Sequence, residues 1–138
     1  MRRLLALLAI LLGTTALLAG CASSDAATTS SSVENVSTEA FLTTAAEPGT
    51  VIVDVRTPGE YAAGHMAGAV NIDVESPDFG AQIAGLPKDT QYAVYCRSGR
   101  RSALATDQMA AAGFTALVNL EGGGVADLQA AGAPIVTG

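Results

Sequence analysis

The stretch Tyr92-Ala93-Val94-Tyr95-Cys96-Arg97-Ser98-Gly99-Arg100-Arg101-Ser102 decides the fold. Its first four residues form a short apolar run that predicts a buried strand. A helical pattern follows from Ser102 to Ala112, with Leu104, Met109 and the alanines on its apolar side and Gly113 closing it. Cys96 therefore falls at a strand end, in a short loop that opens onto a helix N-terminus. Arg97, Arg100 and Arg101 crowd into the residues just after it. A thiolate is favoured by nearby cations and by the unpaired N–H groups of a helix start. The same groups attract an anionic ligand. A free cysteine is only about 3% thiolate at pH 7, and lowering its pKa by about two units makes it mostly thiolate. A lone cysteine is more often a small buried hydrophobe. Flanking by Arg, Ser and Gly argues here for a reactive, exposed nucleophile, vulnerable to oxidation.

Outward from this loop, strands and short helices alternate. Val33 to Val36 predicts a short edge strand, and Ser37 or Thr38 caps a helix through about Ala45, with Glu39 near its positive end. Val51-Ile52-Val53-Asp54-Val55 is short, β-branched and nearly all apolar, the pattern of a central strand covered on both faces. Thr57-Pro58-Gly59-Glu60 is a capping box with proline at the first helical position, and that helix ends near Gly64. Val70 to Val74 predicts a strand, and Phe79 to Ala84 a short helix capped by Asp78. After the cysteine loop come a strand over Thr115 to Leu120, a turn at Gly122-Gly123-Gly124 and a last helix over Val125 to Ala131. This alternation predicts an α/β domain with a parallel sheet and helices on both faces. Ligands of such sheets bind beyond the carboxyl ends of the strands, where Cys96 lies.

The chain has 138 residues, enough for one domain. Met1-Arg2-Arg3 is a basic n-region, and Leu4 to Leu18 an apolar h-region too short and too terminal for a membrane span. Leu18-Ala19-Gly20-Cys21 follows and resembles the lipobox of bacterial lipoproteins, in which the cysteine becomes the lipidated first residue. Residues 1–20 are thus expected to be a lipoprotein signal peptide, with an ordinary signal peptide or a retained anchor as alternatives. Residues 21–32 would be the lipidated Cys21 and an Ala/Ser/Thr tether, and residues 33–138 the folded domain. The expected location is the extracytoplasmic face of a bacterial cell membrane.

Without Arg2 and Arg3, seven basic residues become five against thirteen acidic, a net charge of −8. Such a protein is a poor partner for nucleic acid or anionic lipid. Three of the five cations are nevertheless Arg97, Arg100 and Arg101, so positive charge is concentrated at the cysteine loop. The two cysteines are Cys21 and Cys96. With Cys21 lipidated, Cys96 has no intramolecular partner, which excludes a disulfide framework and a two-cysteine oxidoreductase. A single His beside Cys96 does not make a zinc site.

From about Val33 to Ile135 the chain resembles a single-domain rhodanese. The resemblance rests on Val53-Asp54-Val55-Arg56 with Glu60-Tyr61, on Gly64-His65-Met66-Ala67-Gly68-Ala69-Val70-Asn71, on the loop Cys96 to Ser102, and on the closing segment Leu117 to Pro134. Ala67 stands where many members have proline. With Gly123-Gly124 as the family glycines, Leu128 replaces a frequent tryptophan and Gly122 is extra, which bears on the apolar wall of the pocket. The resemblance implies a rhodanese-like sheet of five or so strands, no cofactor, and sulfur transfer through a Cys96 persulfide. The donor would be a small sulfur anion such as thiosulfate, and the acceptor a thiol or cyanide.

The residues agree with that chemistry. Backbone N–H groups from Arg97 to Ser102 would stabilise departing charge, and Arg97, Arg100 and Arg101 would contact the donor's oxyanion. Ser98 and Ser102 would add hydrogen bonds, and Gly99 lets the loop curl. Arg97 and Arg101 are the stronger candidates for substrate, while Arg100 is equally read as a solvated residue. His65 is expected to be structural, since transfer from an ionised thiol needs no base. Asp54, Arg56 and Glu60 are expected to tie a strand end to its neighbours, and Tyr61 to pack. Two rivals remain: a non-turnover sulfur carrier or binding module on the same scaffold, and a cysteine phosphatase or arsenate reductase. The latter resemble Cys-x5-Arg, and that arginine position falls on Ser102, with Arg101 one residue short.

Overall fold

A computed structural model describes residues 32–138. In chain order the elements are β1 (Ser32–Val36), α1 (Thr38–Ala45), β2 (Val51–Asp54), α2 (Pro58–Ala63), β3 (His65–Met66), β4 (Val70–Asn71), α3 (Phe79–Ala84), β5 (Gln91–Tyr95), α4 (Arg100–Ala111), β6 (Ala116–Leu120), α5 (Val125–Ala130) and β7 (Ile135–Val136). The predicted signal peptide, Cys21 and the tether lie outside the described residues, apart from Ser32, which opens β1.

Five strands form one parallel sheet in the order β1-β6-β5-β2-β4. The sequence-based α/β class with helices on both faces is what the structure shows. The apolar runs Val51–Asp54 and Gln91–Tyr95 pair in register, Val53 opposite Val94 and Asp54 opposite Tyr95. From β2 the chain passes to β4 on one side, and from β5 to β6 on the other. The carboxyl ends of β2 and β5 thus flank the switch in strand order where ligand crevices form.

Side chains of β5 alternate between two cores, as the pleat requires. Tyr92, Val94 and Cys96 point to one face and pack with Phe79, Ile83, Ala105 and Met109 of α3 and α4. Ala93 and Tyr95 point to the other and pack with Phe41 of α1 and Leu128 of α5. Leu128 is fully buried there, so it fills the α1/α5 core and is not part of the wall around the cysteine loop.

The structure departs from the sequence reading at several places. Val70–Val74 pairs as a strand only over Val70–Asn71, although Ile72 and Val74 still donate to Asp54 and Val55 carbonyls at 3.0 and 3.2 Å. His65–Met66 and Ile135–Val136 form an unforeseen antiparallel pair outside the main sheet. Helix α4 begins at Arg100, two residues before the expected Ser102, because Gly99 adopts φ +88° and turns the chain directly into it. Leu104 does not join the apolar side. Ser102, Ala105, Thr106 and Met109 face inward, and Leu104 is 51% exposed.

Candidate active site

Cys96 is the first residue after the central strand β5, and it is only 1% exposed. The expectation of an exposed sulfur therefore fails: the side chain is directed down the α3/α4 face of the sheet. It is not surrounded by apolar groups alone. The Gly99 N–H donates to Sγ at 3.1 Å, and the thiol meets Ser102 Oγ at 3.6 Å. The Ser102 hydroxyl also reaches the Gly99 carbonyl at 3.1 Å. It has one proton and two acceptors within reach, and once the sulfur is ionised that proton serves it best.

These contacts hold the Cys96 thiol below its ordinary pKa. Burial is the largest single influence and pushes it up. The Ser102 hydroxyl and the backbone N–H groups of Ser98, Ser102 and Gly99 together outweigh burial. The sequence reading assigned part of this lowering to arginine charge, but the influences that lower it are hydrogen bonds within the loop.

The loop is held from behind by the glycine run that precedes α5. A Cβ on Gly99 would lie 2.9 Å from the Gly122 nitrogen and 3.4 Å from the Leu120 carbonyl oxygen. A Cβ on Gly124 would overlap the Arg97 carbonyl outright. The first N–H of α5, from Val125, donates to the Cys96 carbonyl at 3.1 Å, and Asp127 Oδ2 accepts from the Gly124 N–H at 2.9 Å. Gly122 and Gly124 are thus the floor on which the cysteine loop rests, a role that a reading as a turn did not reveal.

The arginines separate into two kinds. Arg97 and Arg100 are exposed and make no salt bridge among the described residues. Arg101 is engaged: its guanidinium contacts Glu60 through both nitrogens at 2.7 Å and Glu75 through Nη1 at 3.1 Å. The Arg101 hydrogen bonds, with help from Thr57, bring the Glu60 carboxyl down to about 2 against a smaller opposing effect of burial. The same pairing raises Arg101. Arg97, Ser98, Arg100 and Arg101 line an open cavity of about 630 Å³ with Glu75 and Leu104, two residues the sequence did not single out. Glu75 lies far from the cysteine loop along the chain, and Leu104, read as part of the apolar side of the helix, instead stands on the cavity wall.

Other residues stay clear of that cavity. Arg56 is buried and contacts Asp54 through Nε at 2.9 and 3.1 Å and through Nη2 at 2.6 Å. It also donates to the Gly64 carbonyl at 2.7 Å, tying the end of β2 to the end of α2. Asn71 Nδ2 donates to the Asp54 and Arg56 carbonyls at 3.0 and 2.8 Å. His65 is buried, stacked on Tyr61 with ring centroids 3.6 Å apart, and its Nδ1 meets the Tyr61 carbonyl at 2.9 Å. Tyr95, below Arg56, accepts at its hydroxyl from the Met66 N–H at 2.9 Å.

Fold and site together define an α/β domain that holds one buried cysteine sulfur against main-chain N–H groups, in a loop whose Arg97, Ser98, Arg100 and Arg101 line the adjoining cavity. The chain belongs to the rhodanese-like family, whose Rhodanese-like domain model matches residues 37–129, more than half of its length. It is 36% identical over 94 residues to thiosulfate sulfurtransferase GlpE of Pseudomonas entomophila, covering 67% of this chain and 83% of that one. It is 34% identical over 91 residues to rhodanese-like domain-containing protein 15, chloroplastic, of Arabidopsis thaliana, covering 59% of this chain. It spans 50% of that relative's length. Among solved structures, the rhodanese-like domain of an Anabaena sp. protein superposes with a TM-score of 0.67 at 26% identity, over 77% of this chain and 80% of that one.

Proposed function

We propose that this chain is a sulfurtransferase in which Cys96 takes a sulfane sulfur from an anionic donor such as thiosulfate and passes it to a thiol or to cyanide. The reading is carried by one observation: the Gly99 N–H donates to a Cys96 sulfur that is otherwise buried. Dipoles so placed favour the ionised sulfur and need no reorganisation during reaction. The Cys96 thiolate attacks the outer sulfur of the donor, the donor's sulfur–sulfur bond breaks, and its electron pair leaves with sulfite. Arg97, Arg100 and Arg101 would draw the donor in, and Ser98, Gly99 and Ser102 would support the charged sulfur. The thiosulfate sulfurtransferase relative from Pseudomonas supports the choice of donor.

Mass spectrometry after thiosulfate treatment tests this. Cys96 should gain one sulfur, and Cys96→Ser should abolish both loading and turnover. Activity surviving in that variant would remove Cys96 as the nucleophile. Loading without release to any acceptor would favour a carrier. The Arg101 fork, turned to Glu60 and Glu75, speaks against a phosphatase-type oxyanion clamp, and a parallel phosphatase assay checks that. The lipid-anchored, extracytoplasmic placement is part of the same proposal and rests on the sequence Leu18-Ala19-Gly20-Cys21. Metabolic labelling with a fatty acid should mark the chain and fail to mark Cys21→Ser.

A further inference from the structure

The cavity above the cysteine loop is larger and chemically more mixed than thiosulfate requires. Its volume of about 630 Å³ falls among pockets that hold whole organic molecules, whereas thiosulfate has only five heavy atoms. Its charge is also weaker than three arginines suggest. The cavity wall carries three guanidinium groups and one carboxylate, Glu75, and Glu60, outside the wall but paired with Arg101, offsets a further charge, which leaves a surplus near +1. A dianion therefore meets little surplus positive charge. Leu104, a large aliphatic side chain on the second turn of α4, stands 51% exposed on the same wall.

The two carboxylates are held differently. Glu60 grips Arg101 through two contacts at 2.7 Å and also serves the α2 capping box. Glu75 makes one contact, at 3.1 Å, to the Nη1 that Glu60 already uses, and its side chain is 57% exposed. Its backbone N–H donates to Asp73 Oδ1 at 2.9 Å, which fixes the turn carrying it. Glu75 is thus the partner that an incoming oxyanion would have to displace or approach.

We propose that Glu75 is a specificity-determining residue of the Cys96 site: its carboxylate weights the mouth against the small dianion thiosulfate and, with Leu104, towards organic monoanionic sulfur donors. The proposal rests on the sulfur-transfer reading and adds the class of donor. For a thiosulfonate, the sulfone–sulfane bond breaks, the sulfane sulfur bonds to Cys96 Sγ, and the organic sulfinate leaves with the electron pair. One negative charge enters on the donor and one leaves on the sulfinate, so the persulfide keeps the charge of the thiolate.

Loading rates of Cys96 with thiosulfate and with benzenethiosulfonate, on the full chain at low and high salt, test it. Benzenethiosulfonate is intrinsically the more reactive donor, so the readout is the change in the ratio of the two rates between variants. Glu75→Gln should raise the thiosulfate rate about three- to tenfold at low salt, raise the aryl rate less, and lose most of that gain at high salt. Leu104→Asn should lower the aryl rate about fivefold more than the thiosulfate rate. A ratio unmoved by both substitutions would overturn the proposal while leaving sulfur transfer intact. Loading by neither donor would overturn both.

Discussion

Removing the Ser102 hydroxyl tests whether loop hydrogen bonds, and not arginine charge, lower the cysteine's pKa. Ser102 is fully buried, its oxygen is 3.6 Å from Sγ, and Ser102→Ala deletes one atom without introducing a new contact. A hydrogen bond to a charged group contributes about 1.5–3 kcal/mol, and a contact this long belongs at or below the lower end. Since about 1.4 kcal/mol corresponds to one pKa unit, the Cys96 pKa should rise by about one unit. Around neutral pH the thiolate fraction should then fall by up to about tenfold. The assay is the rate of iodoacetamide alkylation as a function of pH, whose midpoint reports the thiol directly. Stability should follow the same group. A thiol lowered on folding contributes stability that is fully present above its unfolded pKa and is lost as pH falls through the folded value. The substitution should narrow that pH-dependent difference. An unmoved alkylation midpoint would refute the reasoning.

The glycine floor gives a second test: Gly124→Ala sets a new Cβ against the main chain of Arg97, so the loop must shift on the order of 1 Å. Displacement of that size costs about 100-fold in rate when geometry governs the chemistry, and parent-like turnover would show the close approach to be dispensable. Glu60, lowered from 4.5 to about 2 chiefly by Arg101, contributes stability present above about 4.5 and lost as pH falls towards 2. The melting-temperature gap between the parent and Glu60→Gln should therefore close across that window, and a gap independent of pH would exclude the ion pair as its source. Arg56→Ala strips the partner from a buried Asp54 and should destabilise by about 3–5 kcal/mol in urea unfolding. A loss below about 1 kcal/mol would mean that Asp54 finds compensation elsewhere.

The parts of the fold that the sequence displays are those with local causes. The Thr57 to Glu60 capping box forms as spelled, with Thr57 Oγ1 accepting from the Glu60 N–H at 3.4 Å and Glu60 Oε2 accepting from the Thr57 N–H at 3.2 Å. Strands β2, β5 and β6 are apolar runs because both faces are covered, and such runs are readable without partners. The start of α4 was misplaced because its cap is a backbone conformation at Gly99, not a side chain. Leu104 was misassigned because Ser102 and Thr106, though polar, take the inward positions. Thr106 satisfies its hydroxyl on the Ser102 carbonyl at 2.9 Å, so burial leaves no unmet hydrogen bond. The two-residue strands β3 and β7 are too short to show any period. At the site, the nucleophile loop was legible as one contiguous motif. Glu75 and Gly124 were not, since each meets the loop only through tertiary approach.

The alternating side chains of β5 place a strict condition on the nucleophile. With helices over both sides of this strand, no water-facing side exists to penalise a sliding error, and only the fit of large and small residues resists it. A single residue inserted or deleted between Gln91 and Tyr95 would carry Cys96 to the α1/α5 side, away from Ser102 and the arginines. The same slip would send Tyr95 into the α3/α4 core and Val94 into the α1/α5 core, so the packing of both cores fixes the side on which the nucleophile stands.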